Sequence, residues 1–206
     1  MQKTAPETDS SPRLAPLMPY ILVIGGFIGL ICSFIISYDK LKIVEDPAFV
    51  PGCTLNPVIS CGSVMRSWQG SVFGFPNPWI GLAGFAILIT VGMAMLAGGR
   101  FRRWFWACFQ IGMVLALGFA YWLLWQSVYR IKALCPYCLS VDTVMTVMFW
   151  YGTLYVVREG HLPLPRRLIG TADFARRYHL EILATWILLL AGLILQHFWY
   201  FYGQYL

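Results

Sequence analysis

The chain has 206 residues, of which 59% are hydrophobic and 12% are charged, and its formal net charge is +6. Charged residues make up about a quarter of an ordinary soluble domain, so this composition excludes a soluble globular protein. Several apolar runs are about 20 residues long, which is the length needed to cross a hydrocarbon core of about 30 Å. The basic residues stand in short clusters between these runs rather than along an aromatic-rich stripe, so we expect no nucleic-acid partner.

The chain begins with a proline-rich polar segment, followed by the first apolar run. Residues 1–19 contain four prolines with several serines and threonines, and they predict a disordered cytoplasmic tail. The run at about residues 20–38 is too long for the core of a signal peptide and has no small-residue cleavage site. We therefore expect it to remain as the first membrane-spanning helix.

The longest polar connection, residues 39–78, is expected to be partly helical. Asn56 is a favourable N-cap and Pro57 suits the first helical position, and the apolar residues that follow recur at helical spacing. This pattern predicts a short amphipathic helix on the membrane surface that carries Cys61 towards the bundle. Cys53 precedes it, in chain that we expect to be flexible. A loop closed by a structural disulfide is the alternative.

Four further apolar runs follow this connection. With the first run they predict an all-α membrane protein with five transmembrane helices. A polar, basic segment at residues 158–178 separates the last two, and residues 161–206 are interpreted as a basic cytoplasmic linker with the fifth helix. The four later runs cover about residues 78–96, 104–128, 138–157 and 181–200.

Lysine and arginine are unevenly divided between alternate connections, and this asymmetry sets the expected orientation. With the N-terminus in the cytoplasm, ten basic residues fall on the inner side and five on the outer side of the plasma (inner) membrane. The cysteines outside the spans then lie on the outer face, where disulfides persist. The inner set is Lys3, Arg13, Arg100, Arg102, Arg103, Arg158, Arg166, Arg167, Arg176 and Arg177, and the outer set is Lys40, Lys42, Arg66, Arg130 and Lys132.

The sequence Cys135-Pro136-Tyr137-Cys138, between the third and fourth spans, has the form of a redox-active dithiol. At the start of a helix the first thiolate faces unpaired backbone N–H groups and the positive end of the dipole, which lower its pKa. Pro136 suits the first helical position. A separation of three residues brings the two Cα atoms to roughly 5 Å, within the range of a disulfide. A dithiol at the membrane surface suggests electron exchange with a molecule in the membrane.

Four of the six cysteines form two pairs outside the apolar runs. Cys53 and Cys61 would pass electrons from a soluble partner to Cys135 and Cys138 by thiol–disulfide exchange. A tetrahedral zinc site with four thiolate ligands is an alternative, but an oxidising outer face and the loose first spacing disfavour a metal. The other two cysteines lie within spans and are interpreted as small buried hydrophobic residues; they are Cys32 and Cys108.

The order and spacing of several motifs resemble one known family. Cys53-x7-Cys61 is followed by Ser67, by the segment Gly74-Phe75-Pro76-Asn77-Pro78-Trp79-Ile80-Gly81 and by Cys135-x2-Cys138. This arrangement resembles the vitamin K epoxide reductase family, specifically its bacterial homologues, over about residues 20–160. The joint spacing of the four cysteines is the specific part of the resemblance.

The resemblance implies a catalytic four-helix bundle at residues 20–160 around a quinone of the menaquinone, ubiquinone or phylloquinone type. It implies that Cys138 is the thiol nearest the quinone ring and that Cys135 is its resolving partner. Cys61 would exchange with Cys135, and Cys53 would meet a thioredoxin-like extracytoplasmic protein. Bacterial members often carry a fused thioredoxin-like domain after a fifth helix. This sequence ends just past its fifth span, so we expect the partner in trans unless the sequence is part of a longer chain.

The resemblance also assigns two polar residues of the outer connection. Asn77 matches a quinone-contacting asparagine that is followed four residues later by glycine, here Gly81. Ser67 matches a loop hydroxyl that supports the active site. From the residues alone, Asn77 would be a turn residue between two prolines.

One position departs from the family pattern. Some members have a quinone-contacting tyrosine four residues after the second motif cysteine, where this chain has Asp142. The i, i+4 spacing puts Asp142 on the helix face of Cys138. A carboxylate within the membrane is a functional candidate, here for accepting or passing protons. A boundary residue that reaches water is the alternative.

These features predict a membrane thiol–disulfide oxidoreductase. It would reoxidise a thioredoxin-like partner outside the cytoplasm and transfer the electrons through two cysteine pairs to a membrane quinone, which drives disulfide formation. Two alternatives stay open. One is net reduction of vitamin K epoxide or quinone, as in animal relatives, and the other is a non-catalytic membrane scaffold with a structural disulfide or zinc.

Overall fold

The computed structural model describes residues 16–161 and 169–202. Within these ranges the chain is helical without strands, which confirms the all-α prediction, and one isolated parallel bridge joins Ile59 to Leu134. A 3₁₀ turn (Trp68–Ser71) follows α2, and a π-helical turn (Gln126–Ile131) extends α4. The helices are α1 (Met18–Glu45), α2 (Cys61–Arg66), α3 (Pro78–Leu96), α4 (Arg103–Trp125), α5 (Pro136–Arg158), α6 (Ile169–Arg177), α7 (His179–His197) and α8 (Trp199–Tyr202).

Four of the described helices are long and apolar enough to cross a membrane: α1, α3, α4 with its π-helical turn, and α7. The chain is therefore an integral membrane protein by composition. Helix α5 has a comparable length of 23 residues, but Ser140, Asp142 and three threonines make it less apolar. A count of five membrane spans accordingly remains a prediction.

Among the helices α1, α3, α4 and α5, the two central ones are α1 and α5. Helix α1 packs against α3 and α5, and α4 packs against α5. Glycines on α1 permit the close approach, because a Cβ atom at Gly29 would overlap the Phe85 ring of α3 and one at Gly25 would press on Met148 of α5. The main apolar core lies between these helices; its buried members are Met18, Leu22, Phe85, Leu88, Val91, Met113, Leu117, Met145 and Met148.

Helix α7 lies beside α5. The Trp150 indole N–H donates to the His179 carbonyl (3.0 Å), and the Tyr151 hydroxyl pairs with the His179 ring at 3.1 Å. Just beyond the other end of α7, Phe198 is fully buried and packs with Val58 and Leu134. The fifth apolar helix is therefore attached to the bundle at both of its ends.

Two expectations about element boundaries were wrong. Helix α1 continues to Glu45, beyond the expected end near Tyr38, so its last turns extend past the end of the apolar run. Helix α6 occupies part of the segment that was expected to be only polar linker. Residues 1–15 and 162–168, and with them most of the predicted tail and part of the linker, lie outside the described residues.

The helix in the connection between α1 and α3 also begins later than predicted. Asn56 does not cap it, because its side chain accepts the N–H groups of Val58 (3.0 Å) and Ile59 (2.7 Å) and closes a turn. Ser60 is the N-cap instead and accepts the Ser63 N–H at 3.3 Å. The predicted amphipathic surface helix is thus a single six-residue element, α2.

Candidate redox site

The motif cysteines lie at the start of α5. Cys135 is the N-cap, Pro136 is the first helical residue, and the Cys138 N–H donates to the Cys135 sulfur at 3.4 Å. The two thiols are free, and Cys135 is buried while Cys138 is partly exposed. A residue that caps a helix through its sulfur is held at the positive end of the helix dipole.

This position lowers the pKa of the Cys135 thiol. The largest cause is a hydrogen bond with the Cys138 side chain, and the backbone N–H groups of Cys138 and Tyr137 add to it. Burial and the Asp39 carboxylate act in the opposite direction. The net effect favours the thiolate, which is the nucleophilic form of cysteine.

The two loop cysteines are joined in a disulfide. Cys53 and Cys61 have Cα atoms 5.7 Å apart, and Cys61, in the first turn of α2, is fully buried. That Cys53 lies in flexible chain stays a prediction. Cys53 is half-buried, and it lies within a turn that is closed by the Thr54 N–H, which donates to the carbonyl of the buried Pro51 at 2.9 Å.

The two cysteine pairs meet in one cluster. Cys61 and Cys135 are both buried members of it, and Cys53 and Cys138 pack against it. The backbone fixes this arrangement, since the Ser60 N–H donates to the Leu134 carbonyl (2.9 Å) and the Leu134 N–H donates to the Val58 carbonyl (2.6 Å). The remaining buried members are Ile36, Ile43 and Met65. The structure thus places the residues before Cys61 and before Cys135 side by side.

A cavity of about 510 Å³ lies next to this cluster, with walls from α1, α3, α4 and α5. Among the described helices α3 and α4 do not pack closely on each other, and the cavity occupies the space between them. Cys135 and Cys138 lie in its wall, which is otherwise mostly apolar. Its polar lining residues are Ser33, Lys40, Gln69, Asn77, Ser127 and Asp142. A volume of about 300–1,000 Å³ with a mostly apolar wall and few polar groups is typical of a small-molecule or cofactor site, so these residues fit a quinone.

Asn77 lies in the cavity wall and is buried. Its side-chain oxygen accepts the Val72 N–H (3.0 Å), and its amide nitrogen donates to the Gln69 carbonyl (2.6 Å). An amide side chain has two donors and two acceptor positions, so half of its capacity remains for a ligand. The two hydrogen bonds that Asn77 already makes hold the preceding turn against the start of α3.

Ser67 does not line the cavity. Its hydroxyl donates to the Val64 carbonyl at 2.6 Å, at the end of α2. It closes the helix that carries Cys61, and its supporting role at the active site stays a prediction.

Asp142 and Cys138 both line the cavity, one helical turn apart on α5. Cys108, interpreted from the sequence as a buried hydrophobic residue, is exposed and also lines the cavity, so that interpretation was wrong; Cys32 is buried. No group of three or more His, Cys, Asp or Glu side chains in the described ranges is suited to hold a metal ion.

Sequence reasoning missed Lys40 and Gln69 in the cavity wall. Lys40 was counted only as an outer basic residue. The available signal was its spacing from Ile36 and Ile43, which share one face of α1. Gln69 carried no signal, because its position depends on the 3₁₀ turn after α2.

The redox geometry agrees with a comparison to protein families. Residues 20–153 match the vitamin K epoxide reductase family, which is more than half of the chain and includes all four clustered cysteines. The chain belongs to the vitamin K epoxide reductase family. No curated protein matches it. As a member of this family the protein is a membrane oxidoreductase, and the family in general uses quinone-type substrates. Helices α6 to α8 lie outside the matched region.

Proposed function

We propose that this family member is a quinone-dependent thiol–disulfide oxidoreductase that reoxidises a thioredoxin-like partner outside the cytoplasm. The observation that carries the proposal is the single cluster of four cysteines above an apolar cavity. One pair is at the surface loop and oxidised, and the other pair is free and reaches the cavity. A scaffold with a structural disulfide has no need of the second, free pair beside a cavity.

The outer pair would receive electrons from the partner. A partner thiolate attacks the Cys53 sulfur, the bond between Cys53 and Cys61 breaks, and the Cys61 thiolate leaves. The second partner thiol then displaces Cys53, so the partner leaves as a disulfide and both loop cysteines are reduced. Cys53 is the half-buried member of the pair and Cys61 is fully buried, so Cys53 is the accessible target.

The inner exchange would run through Cys135. With the motif oxidised, the Cys61 thiolate attacks the Cys135 sulfur and Cys138 leaves as a thiolate. Cys53 then attacks Cys61 and restores the loop disulfide, which leaves both motif thiols reduced. A bound quinone would accept two electrons and two protons as the motif thiols become a disulfide. Asn77 would orient the ring, and Asp142 would hold or pass protons at the cavity wall.

The proposal is tested with purified protein, a reduced thioredoxin-like dithiol protein and a membrane quinone. We expect quinone reduction coupled to partner oxidation. Cys138→Ala should abolish quinone reduction, because Cys138 lies in the cavity wall and Cys135 alone cannot form the motif disulfide. Exchange between the partner and the loop pair should remain, because both loop cysteines are unchanged. Cys32→Ala is the matched control. A protein whose thiols keep their redox state with and without quinone would instead be a scaffold.

The site of partner attack is tested by trapping. A partner with only one motif cysteine cannot resolve the mixed disulfide, so we expect it to accumulate on this protein with the bond at Cys53 by peptide mapping. Cys53→Ala should abolish the adduct, and Cys108→Ala should not change it. A bond at Cys135 or Cys138 would show that the loop disulfide is only structural.

A further inference from the structure

Lys40 lies in the wall of the quinone-type cavity, at the level of the cysteine cluster. It stands four residues after Ile36 and three before Ile43, so the three side chains share one face of α1. Both isoleucines are buried members of the cysteine cluster. Lys40 is therefore near the end of the cavity where Cys135 and Cys138 lie.

The charge of Lys40 is uncompensated by a carboxylate. Its ammonium group donates to the Met65 carbonyl at the end of α2, which uses one of three N–H donors. Among the residues that the structure describes, Lys40 forms no ion pair, whereas its neighbour Lys42 pairs with Glu45 at 2.9 Å on the exposed side of α1. A partly buried cation without a counter-ion attracts an anionic ligand.

Lys40 is also the only cationic side chain among the described residues that line the cavity, and Asp142 is the only carboxylate. Lys40 comes from α1 and Asp142 from α5, so the two opposite charges belong to different walls. Lys40 therefore supplies the positive charge of the described cavity wall.

We propose that Lys40 is an anion-binding group that gives the cavity a preference for ring ligands with a negatively charged oxygen. This inference rests on the proposed function, because it assumes that the cavity receives a quinone-type ring. Its consequence for that function is that negative charge appearing on a ring oxygen is stabilised at the thiol end of the cavity.

The experiment compares two ring ligands of nearly the same shape, one neutral and one negatively charged. 2,3-Dimethyl-1,4-naphthoquinone is neutral, and 2-hydroxy-3-methyl-1,4-naphthoquinone is an anion at neutral pH because its hydroxyl is a vinylogous acid. Both ring positions are substituted, which blocks thiol addition. Binding is measured by equilibrium dialysis with detergent-purified full chain that has been oxidised beforehand, so that no electrons pass to the ligand.

We expect Lys40→Met to weaken binding of the anion by about tenfold, the effect of losing one hydrogen bond to a charged group, and to leave the neutral ligand within about twofold. Lys40→Arg should restore the preference for the anion. Lys42→Met is the matched control, since it removes an equal charge two residues away and outside the cavity wall. Lys40→Gln is a second test if the Met variant does not fold.

A structural role for Lys40, as a cap on α2, would change both affinities equally, and that result would overturn the inference while the proposed function stands. Equal binding of both ligands by the unmodified protein would overturn it as well. Failure of both ligands to bind the unmodified protein would instead overturn the proposed quinone site.

Discussion

The two motif cysteines have different environments although they share one helical turn. Cys135 caps α5 and is buried among apolar side chains, and Cys138 is partly exposed in the cavity wall. The sequence predicts the helix start, because a proline follows the first cysteine. It does not predict the whole cavity wall beside the thiols, since Gln69 reaches that wall only through the 3₁₀ turn after α2.

At this scale we expect Cys138→Ala to raise the pKa of the Cys135 thiol, because the largest cause of its lowering is the hydrogen bond from Cys138. A lowered pKa means that the thiolate is present at a lower pH, so the variant should need a higher pH for the same reactivity. Alkylation of Cys135 against pH, followed by peptide mass spectrometry, measures this shift. Cys108→Ala should leave the profile unchanged, and an equal profile in both variants would contradict the assignment.

Asp142 gives a second prediction for a single residue. If its carboxyl group passes protons at the cavity wall, Asp142→Asn should slow quinone reduction by about ten- to a hundredfold, the usual range for losing a general acid–base group. Partner exchange at the loop pair should be unaffected. Thr143→Val changes the next residue, which is exposed, and is the control. Unchanged turnover across pH in the Asn variant would mark Asp142 as a boundary residue.

Among the elements, α3 shows where the sequence is sufficient and α2 where it is not. The bounds of α3 were predicted, since Pro78 begins it and Gly98, with φ +82°, follows its end. The start of α2 was missed because the segment before it pairs with Leu134, a residue far along the chain. Local patterns therefore predict the long apolar helices, but the short elements near the site depend on tertiary contacts.

The approach of α3 to α1 gives a prediction for helix packing. A Cβ atom at Gly81 would lie 2.5 Å from the Ser33 hydroxyl, whereas one at Gly84 would meet nothing within 4 Å. Gly81→Ala should therefore lower the thermal unfolding temperature, and Ser33→Ala should restore part of it by removing the hydroxyl. Gly84→Ala, in the same helix, should be neutral or stabilising by up to about 1 kcal/mol because alanine favours helix. Equal unfolding temperatures for both glycine variants would contradict this packing.

The end of α7 gives a second prediction at the scale of elements. Phe198 is fully buried against Val58 and Leu134, whose backbones hold the loop pair beside the motif. In a Cys53→Ala, Cys138→Ala background, Cys61 and Cys135 should form a disulfide with each other. Adding Phe198→Ala should lower its yield, because the cavity left by a buried phenylalanine loosens the surrounding contacts. Leu193→Ala, which removes an exposed side chain of α7, should not.

For the whole molecule, apolar length predicts membrane helices but does not fix their number. Helix α5 carries the motif and Asp142, and the polar residues that suit it to a redox site also reduce its apolar character. The arrangement of helices around a cavity came from the family resemblance rather than from periodicity, because helices that are apolar on most faces give no directional signal. Family membership is now shown, and the orientation in the membrane remains a prediction.

The orientation is tested by labelling Cys53 from outside the cell. Ten basic residues on the inner side against five on the outer side predict a cytoplasmic N-terminus and an outer cysteine cluster. After reduction, a membrane-impermeant maleimide should therefore label Cys53 in intact cells. A cysteine introduced by Arg100→Cys, in the exposed turn between α3 and α4, should be labelled only after lysis. The opposite pattern would place the redox site in the cytoplasm, where thiols are kept reduced, and would overturn the proposal that the enzyme drives disulfide formation.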